Sequence, residues 1–182
     1  MELKETKEET QENKLNKIFR ATLPYIIIVI VVALIRTFIV TPVQVEGMSM
    51  YSTLDDNEIL LLKKYDKNYQ RFDIVVFNYN GTKLIKRVIG LPGEAVAYKD
   101  NKLYINGEYM EEDFLKNHQE TYDFTIEEIG YDTIPDGYYF VMGDNRTNST
   151  DSRIIGLVPE EDIEGTTSFA IFPFDKFGNF NK

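Results

Sequence analysis

Ser49 stands between two methionines in GMSMYSTLDD, residues 47–56, and the single histidine of the chain, His118, is far away in sequence. A serine hydroxyl attacks a carbonyl only when a base takes its proton, and where histidine is missing a neutral lysine amine can do so. Lys86 is the candidate base, because it lies in LIKRVIGLPGE, residues 84–94, among Leu84, Ile85, Val88 and Ile89. Apolar surroundings disfavour the ammonium form and lower a lysine pKa. The adjacent Arg87 leaves a regular strand on the opposite face and need not share the pocket. A third segment, MGDNRTNSTDSR at 142–153, concentrates Asp144, Asn145, Arg146, Ser149, Asp151, Ser152 and Arg153 behind a strand-like run. Taken singly, a lysine in a strand is usually solvated and a charge-dense loop usually carries surface ion pairs worth little. Together, downstream of one apolar run, the three segments outline a serine nucleophile, a lysine base and a polar support loop.

Those segments need a scaffold. From Ala21 to Ile35 nearly every residue is apolar, and after Arg36 the run resumes to Val40. About 20 residues at about 1.5 Å rise match a bilayer core, so 21–40 reads as one transmembrane helix, with Pro24 in its first turn and Pro42 as a stop. Lys14, Lys17 and Arg20 precede the run, against Arg36 and then nothing basic until Lys63. The positive-inside tendency therefore keeps the N-terminus in the cytoplasm and sends the rest outside the cell membrane. Residues 1–20 read as a disordered polar cytoplasmic arm, and 41–182 as an extracytoplasmic β-rich domain.

Within that domain the runs 57–65, 72–79, 82–90, 94–110, 137–144 and 166–174 are rich in β-branched and aromatic residues. Asn80-Gly81, Asn106-Gly107 and Pro135-Asp136-Gly137 are turn signals between them. The expected fold class is mainly β, an antiparallel sheet assembly behind one N-terminal helix. YKDNKLYINGEYM reads as one hairpin with Asp100-Asn101 at its tip, and 110–117 as one short helix. The chain has no cysteine, which rules out disulfides, thiol chemistry and Cys-based metal sites. No P-loop, dinucleotide glycine pattern or zinc-type histidine pair occurs, so neither metal nor cofactor is expected. The formal charge of −10 argues against nucleic acid as a partner.

The chain resembles type I signal peptidases, the membrane-bound serine–lysine proteases that remove signal peptides from exported proteins. The matching segments run from Lys14 to the end: VEGMSM with Thr53-Leu54, FDIVVF, IKRVIGLPGE and GDNRTNSTDSR. Size and a single span are similar to the compact Gram-positive form. The resemblance implies the signal peptidase I fold, with Ser49 as nucleophile, Lys86 as general base and Ser149 orienting the Lys86 amine. It implies that Asp151 pairs with Arg153, and Asp144 with Arg87, as support. The oxyanion hole would use the Ser49 N–H, with Gly47 at the position of the second donor. Val43, Val45 and Ile85 would line two shallow pockets for the small residues of an Ala-X-Ala type cleavage site. Met48 and Met50 would shield the site, and Met50 would help seat it on the bilayer.

The implied partners are preprotein signal peptides, the lipid bilayer and the neighbourhood of the secretion translocon. The chain departs from the family pattern at Ser52, where proline is usual, and at Phe72-Asp73, where glycine-aspartate is usual. Loss of the proline removes a fixed φ beside the nucleophile. An alternative of another class is a signal-peptidase-like factor that processes pilins or acts with sortase machinery in pilus assembly. Retention of both Ser49 and Lys86 favours an enzyme. A self-cleaving repressor-type protease is disfavoured by the span, and a eukaryotic-type signal peptidase by lysine rather than histidine at position 86.

Overall fold

A computed structural model describes residues 2–65, 67–115 and 120–180, and for 2–16 only the course of the backbone. The chain divides into two compact units, Met1–Ile39 and Val40–Lys182. The first is one helix, α1 (Glu2–Phe38), whose Lys17–Phe38 portion is long and apolar enough to cross a membrane. Two expectations change here. The polar arm is helical rather than disordered, as its Glu, Lys, Gln and Leu content favours, and Pro24 therefore lies inside the helix, not in its first turn. The apolar run also stops being helical at Phe38.

Val40 opens a strand instead. In the second unit, β1 (Val40–Gln44), β2 (Ile59–Lys63), β3 (Ile74–Tyr79), β4 (Thr82–Gly90), β5 (Val96–Lys99), β6 (Lys102–Ile105), β7 (Glu108–Met110) and β8 (Phe124–Thr125) follow in order. After them come β9 (Tyr138–Met142), a one-turn helix α2 (Ser152–Ile155), β10 (Val158–Pro159), β11 (Ile163–Phe172) and β12 (Gly178–Asn179). The larger sheet has the order β1-β2-β11-β3-β4-β9-β10, with β12 on β11, and the smaller has β7-β6-β5-β8. Every pairing is antiparallel.

Pro42 is compatible with β1 because β1 is the edge of its sheet, where a missing N–H breaks no ladder. The run IVVF of β3 is buried at all four positions, since both faces of the large sheet are covered. Ile74 and Val76 join Val43, Val45, Met50, Leu60, Leu62 and Ile85 on one face. Val75 and Phe77 join Val88, Tyr139, Val141 and Ile163 in a second cluster. A third cluster packs Ile89, Phe140 and Met142 of the large sheet against Val96, Tyr98, Leu103, Ile105 and Phe124 of the small one. Gly90 makes that approach possible, because a Cβ there would lie 2.4 Å from Ile134 and 2.5 Å from Val96.

The expected single hairpin at 98–110 is a three-stranded meander. Asp100 and Asn101 have φ of 51° and 62°, and Asn106 and Gly107 have φ of 52° and 82°, so both tips use the paired positive φ that matches strand twist. The helix expected over 110–117 is not formed in its described part: Met110 pairs with Leu103 in a strand, and 111–115 continue as a turn. Residues 116–117, and with them His118, lie outside the described residues.

Glu112 in that turn is drawn inward. Its carboxylate accepts from Arg146 Nη2 at 2.6 Å and Nη1 at 3.2 Å, and from the Tyr98 hydroxyl at 2.7 Å. Arg146 also donates to the Gly143 carbonyl at 3.1 Å, so one buried guanidinium ties the small sheet to the loop after β9. Removing one partner of a buried ion pair strands the other charge and costs about 3–5 kcal/mol. Glu112→Ala should therefore lower the unfolding free energy by about 3 kcal/mol or more in a denaturant titration, and an unchanged midpoint would deny this bond its bracing role.

Candidate active site

Three segments far apart in sequence meet at Lys86. Its side chain is buried to 2% exposure in the middle of β4, and its Nζ donates to Ser49 Oγ at 2.7 Å and to the Ile85 carbonyl at 2.9 Å. Burial pulls the Lys86 pKa from 10.5 down to about 8, against the opposing pull of the Asp151 and Asp144 carboxylates. Ser49 itself is half-buried, in the turn between β1 and β2.

The loop after β9 grips that turn. Asn145 donates from its backbone to the Ser49 carbonyl at 2.9 Å, and Asp144 accepts from Thr53 Oγ1 at 2.6 Å. Gly143 is required by closeness rather than by φ: a Cβ there would lie 2.4 Å from the Ser49 carbonyl oxygen and 2.2 Å from Ser149 Oγ. Asp144 is held by Arg87 through two bonds, Nε to Oδ1 at 2.9 Å and Nη2 to Oδ2 at 2.5 Å, and both residues are about 1% exposed. Arg87 therefore diverges from its neighbour Lys86, as the strand alternation requires. Asp151 is fully buried, accepts from Arg153 Nε and Nη2 at 2.9 and 2.8 Å, and also takes the Gly143 N–H at 3.0 Å. It serves as N-cap of α2 as well. Ser149 Oγ is buried and makes no hydrogen bond, so its expected bond to Lys86 is not formed in this geometry.

Gly47 does not provide a free second donor. Its N–H is taken by the Asp56 carboxylate at 2.7 Å, which closes the turn carrying Ser49 on itself. The Ser49 N–H has no hydrogen-bond partner among the described residues. Met50 is 1% exposed and belongs to the core, so it cannot seat the site on a bilayer; Met48, 42% exposed, is the methionine that faces out. The substitution of Ser52 for proline leaves the turn fastened, since Thr53 and Leu54 N–H both donate to the Met50 carbonyl at 2.9 Å.

Val43, Val45 and Ile85 fall into one apolar cluster and are 9%, 3% and 7% exposed. Beside them runs a groove of about 470 Å³, lined by Pro42, Val43, Gln44 and Glu46 on one side and Gly81, Thr82 and Lys83 on the other. β1 is the edge strand of its sheet, and β4 pairs with β9 only from Arg87 onward, so the groove lies between two strand edges. Among the described residues no group of three or more His, Cys, Asp or Glu side chains is placed to hold a metal ion.

Sequence reasoning did not single out Asp56 or Glu112, and named Asn145 and Thr53 only within their segments, with no role of their own. Each is a polar residue in a loop or turn, and only its folded partner distinguishes it from an ordinary loop residue.

Comparison with known proteins identifies the family. Residues 18–172 match the family model described as signal peptidase, peptidase S26. The chain belongs to that family. Similar curated members include signal peptidase I S of Bacillus subtilis (strain 168), 41% identical over 165 residues, which are 86% of this chain and 90% of the relative. Signal peptidase I T of the same organism is 42% identical over 179 residues, 93% of each chain. A crystal structure of a signal peptidase I from Enterococcus faecalis V583 is 46% identical, with a TM-score of 0.51, covering 54% of this chain and 96% of that one. As a signal peptidase family member the chain is a serine peptidase with the mainly β fold expected from sequence, and its one apolar helix fits membrane anchoring.

The electrostatics set a pH dependence. An amine that must be neutral to accept a proton is inactive when charged, so kcat/KM should rise about tenfold per pH unit below Lys86's pKa of about 8 and level off above it. A profile flat from pH 6 to pH 9, read on a preprotein substrate in detergent, would remove Lys86 as the titrating base.

Proposed function

We propose that the chain is a membrane-anchored endopeptidase that removes signal peptides after small residues, with Ser49 as nucleophile and Lys86 as general base. The observation that carries this reading is the 2.7 Å separation of Lys86 Nζ and Ser49 Oγ inside an apolar enclosure. The neutral amine accepts the Ser49 proton as Oγ bonds to the scissile carbonyl carbon, and negative charge moves to the carbonyl oxygen. The Ser49 N–H donates to that oxygen. Collapse breaks the C–N bond, and the Lys86 ammonium gives its proton to the leaving amine. The acyl ester is then hydrolysed by a water whose proton Lys86 takes, and Ser49 Oγ recovers the proton as the acid departs.

Ser149 completes the base. Charged or neutral, the Lys86 amine has one N–H beyond its contacts with Ser49 and Ile85, and Ser149 Oγ is buried with an unused acceptor. A small movement on substrate binding brings the two together and fixes the amine's direction, the job a third group does in a triad. Asp151 with Arg153, and Asp144 with Arg87, hold the segments without moving protons themselves.

The substrate enters as an extended strand between the edges of β1 and β4, with main-chain hydrogen bonds giving affinity. Val43 lines that groove, with Val45 and Ile85 packed in the same apolar cluster, and together they would offer a surface for alanine that rejects larger side chains by clash. The basic residues Lys14, Lys17 and Arg20 keep the N-terminus in the cytoplasm, so the catalytic unit faces outward.

Ser49→Ala and Lys86→Met should each abolish cleavage of a preprotein by the full chain in detergent while leaving its melting temperature within a few degrees; cleavage retained by either would sink the dyad. The chain has no cysteine, so a single one introduced ahead of α1 reports topology cleanly. It should be shielded from a membrane-impermeant maleimide in intact cells, and labelling there would reverse the orientation.

A further inference from the structure

Asn145 takes no part in the proton transfers above, yet it holds the nucleophile turn twice. Its backbone N–H donates to the Ser49 carbonyl at 2.9 Å, and its side-chain Nδ2 donates to the Met48 carbonyl at 3.0 Å. The side-chain bond acts on one particular peptide unit. A peptide is planar and trans, so the Met48 carbonyl and the Ser49 N–H are opposite ends of a single rigid plate. Whatever fixes the direction of the oxygen fixes the direction of the hydrogen.

That plate is held once from within its own turn, by the Tyr51 N–H on the Met48 carbonyl at 3.1 Å, and once from outside it. On its N-terminal side Met48 is exposed and Gly47 has a φ of +81°, a conformation glycine reaches and leaves easily. Asp56 pins the Gly47 N–H, which restrains the Glu46–Gly47 peptide but not the Met48–Ser49 one. On the C-terminal side the Ser49 carbonyl is fixed by the Asn145 backbone and by the close approach of Gly143. The Met48–Ser49 peptide lies between these two restraints, and its Met48 carbonyl has two donors: the Tyr51 N–H at 3.1 Å from within the turn and the Asn145 amide at 3.0 Å from the loop after β9. The Ser49 N–H at its far end has no partner among the described residues, so no bond there competes with an incoming oxygen.

We infer that Asn145 is a positioning residue for the oxyanion hole: its side-chain amide aims the Ser49 N–H by holding the Met48 carbonyl at the other end of the same peptide. The inference rests on the reading of Ser49 as nucleophile with its own N–H as oxyanion donor. It also says why an amide is needed. An aspartate would present an oxygen to the Met48 oxygen, and alanine or leucine would present nothing, so each leaves the carbonyl with only the Tyr51 N–H of its own turn. With the Gly47 N–H engaged by Asp56, the aim of the Ser49 N–H matters more than it would beside a second preformed donor.

A group that stabilises only the transition state lowers kcat when lost and leaves KM alone. Removing an oxyanion donor outright costs about 10²–10³ in kcat, and misaiming one costs a part of that. Asn145→Leu and Asn145→Ala, measured as full chains in detergent on a preprotein, should lose about 10- to 100-fold in kcat, with KM within about twofold. The alkaline midpoint should stay near pH 8, because neither variant alters the charges around Lys86. Asn145→Asp should not restore kcat despite its matching shape. A kcat within about twofold of wild type in the Leu and Ala variants overturns the inference. So does a loss expressed in KM, a displaced midpoint, or a collapse of melting temperature in both variants, any of which makes Asn145 a support for binding, dyad or fold instead. Ser49→Ala measured alongside separates the two levels: residual cleavage there defeats the nucleophile reading itself, whereas a dead Ser49→Ala beside fully active Asn145 variants defeats only the oxyanion role.

Discussion

In the proposed dyad Lys86 Nζ has to be shut away from water and still lie against a hydroxyl, and the observed fold meets that constraint: the side chain is 2% exposed and donates to Ser49 Oγ at 2.7 Å. Burial alone lowers the amine's pKa, but the loop that provides the enclosure also brings two carboxylates, Asp144 and Asp151, within electrostatic range. Both favour the ammonium form, but desolvation outweighs them and the pKa lies at about 8 rather than 10.5. Each carboxylate is itself held by a two-pronged guanidinium, Asp144 by Arg87 and Asp151 by Arg153. The first pair ties β4 to the loop after β9, and the second closes that loop onto α2.

The same loop solves the geometric half of the problem. Ser49, Lys86 and Ser149 come from a turn, a strand and a loop, and no local preference could bring them together. Strand β4 is fixed by β3 on one side and by β9 on the other, which sets where Lys86 stands. The loop leaving β9 then reaches over to the nucleophile turn through Asn145 and Asp144, and Gly143 lets it approach to contact distance. Arg146 anchors the outer side of that loop to Glu112 and Tyr98 of the small sheet. The small sheet contributes no reacting atom and serves as a brace.

Much of the scaffold was legible because its signals are local. The apolar run before Phe38, the fully buried IVVF of β3 and the asparagine-glycine turn at 106–107 each carry their structure in a few consecutive residues. The errors fall where a distant partner overrides the local pattern. Val40 reads as the end of an apolar span until Lys63 pairs with it, and Met110 reads as a helix start until Leu103 takes it into a strand. Met50 looks like a surface shield beside the nucleophile until the cluster around Leu54 and Ile85 encloses it. Residues 2–20 erred in the other direction: polarity suggested disorder, while helix propensity led to a continuous helix.

Residue chemistry by itself narrowed the available reactions: no thiol, a single histidine far from the serine in sequence, and a lysine set among aliphatic neighbours. It determined too that one segment is long and apolar enough for a bilayer, because hydrophobic length is additive along the chain. The tertiary structure alone decided which hydrogen-bonding groups are spent and which remain open. The Gly47 N–H is bound to Asp56 while the Ser49 N–H is not, and the Met48 carbonyl is held by an amide nearly a hundred residues away. A backbone N–H or carbonyl is the same in every residue, so nothing in the side-chain sequence marks its use. Only the register of the sheet and the loops it suspends assign each one a partner.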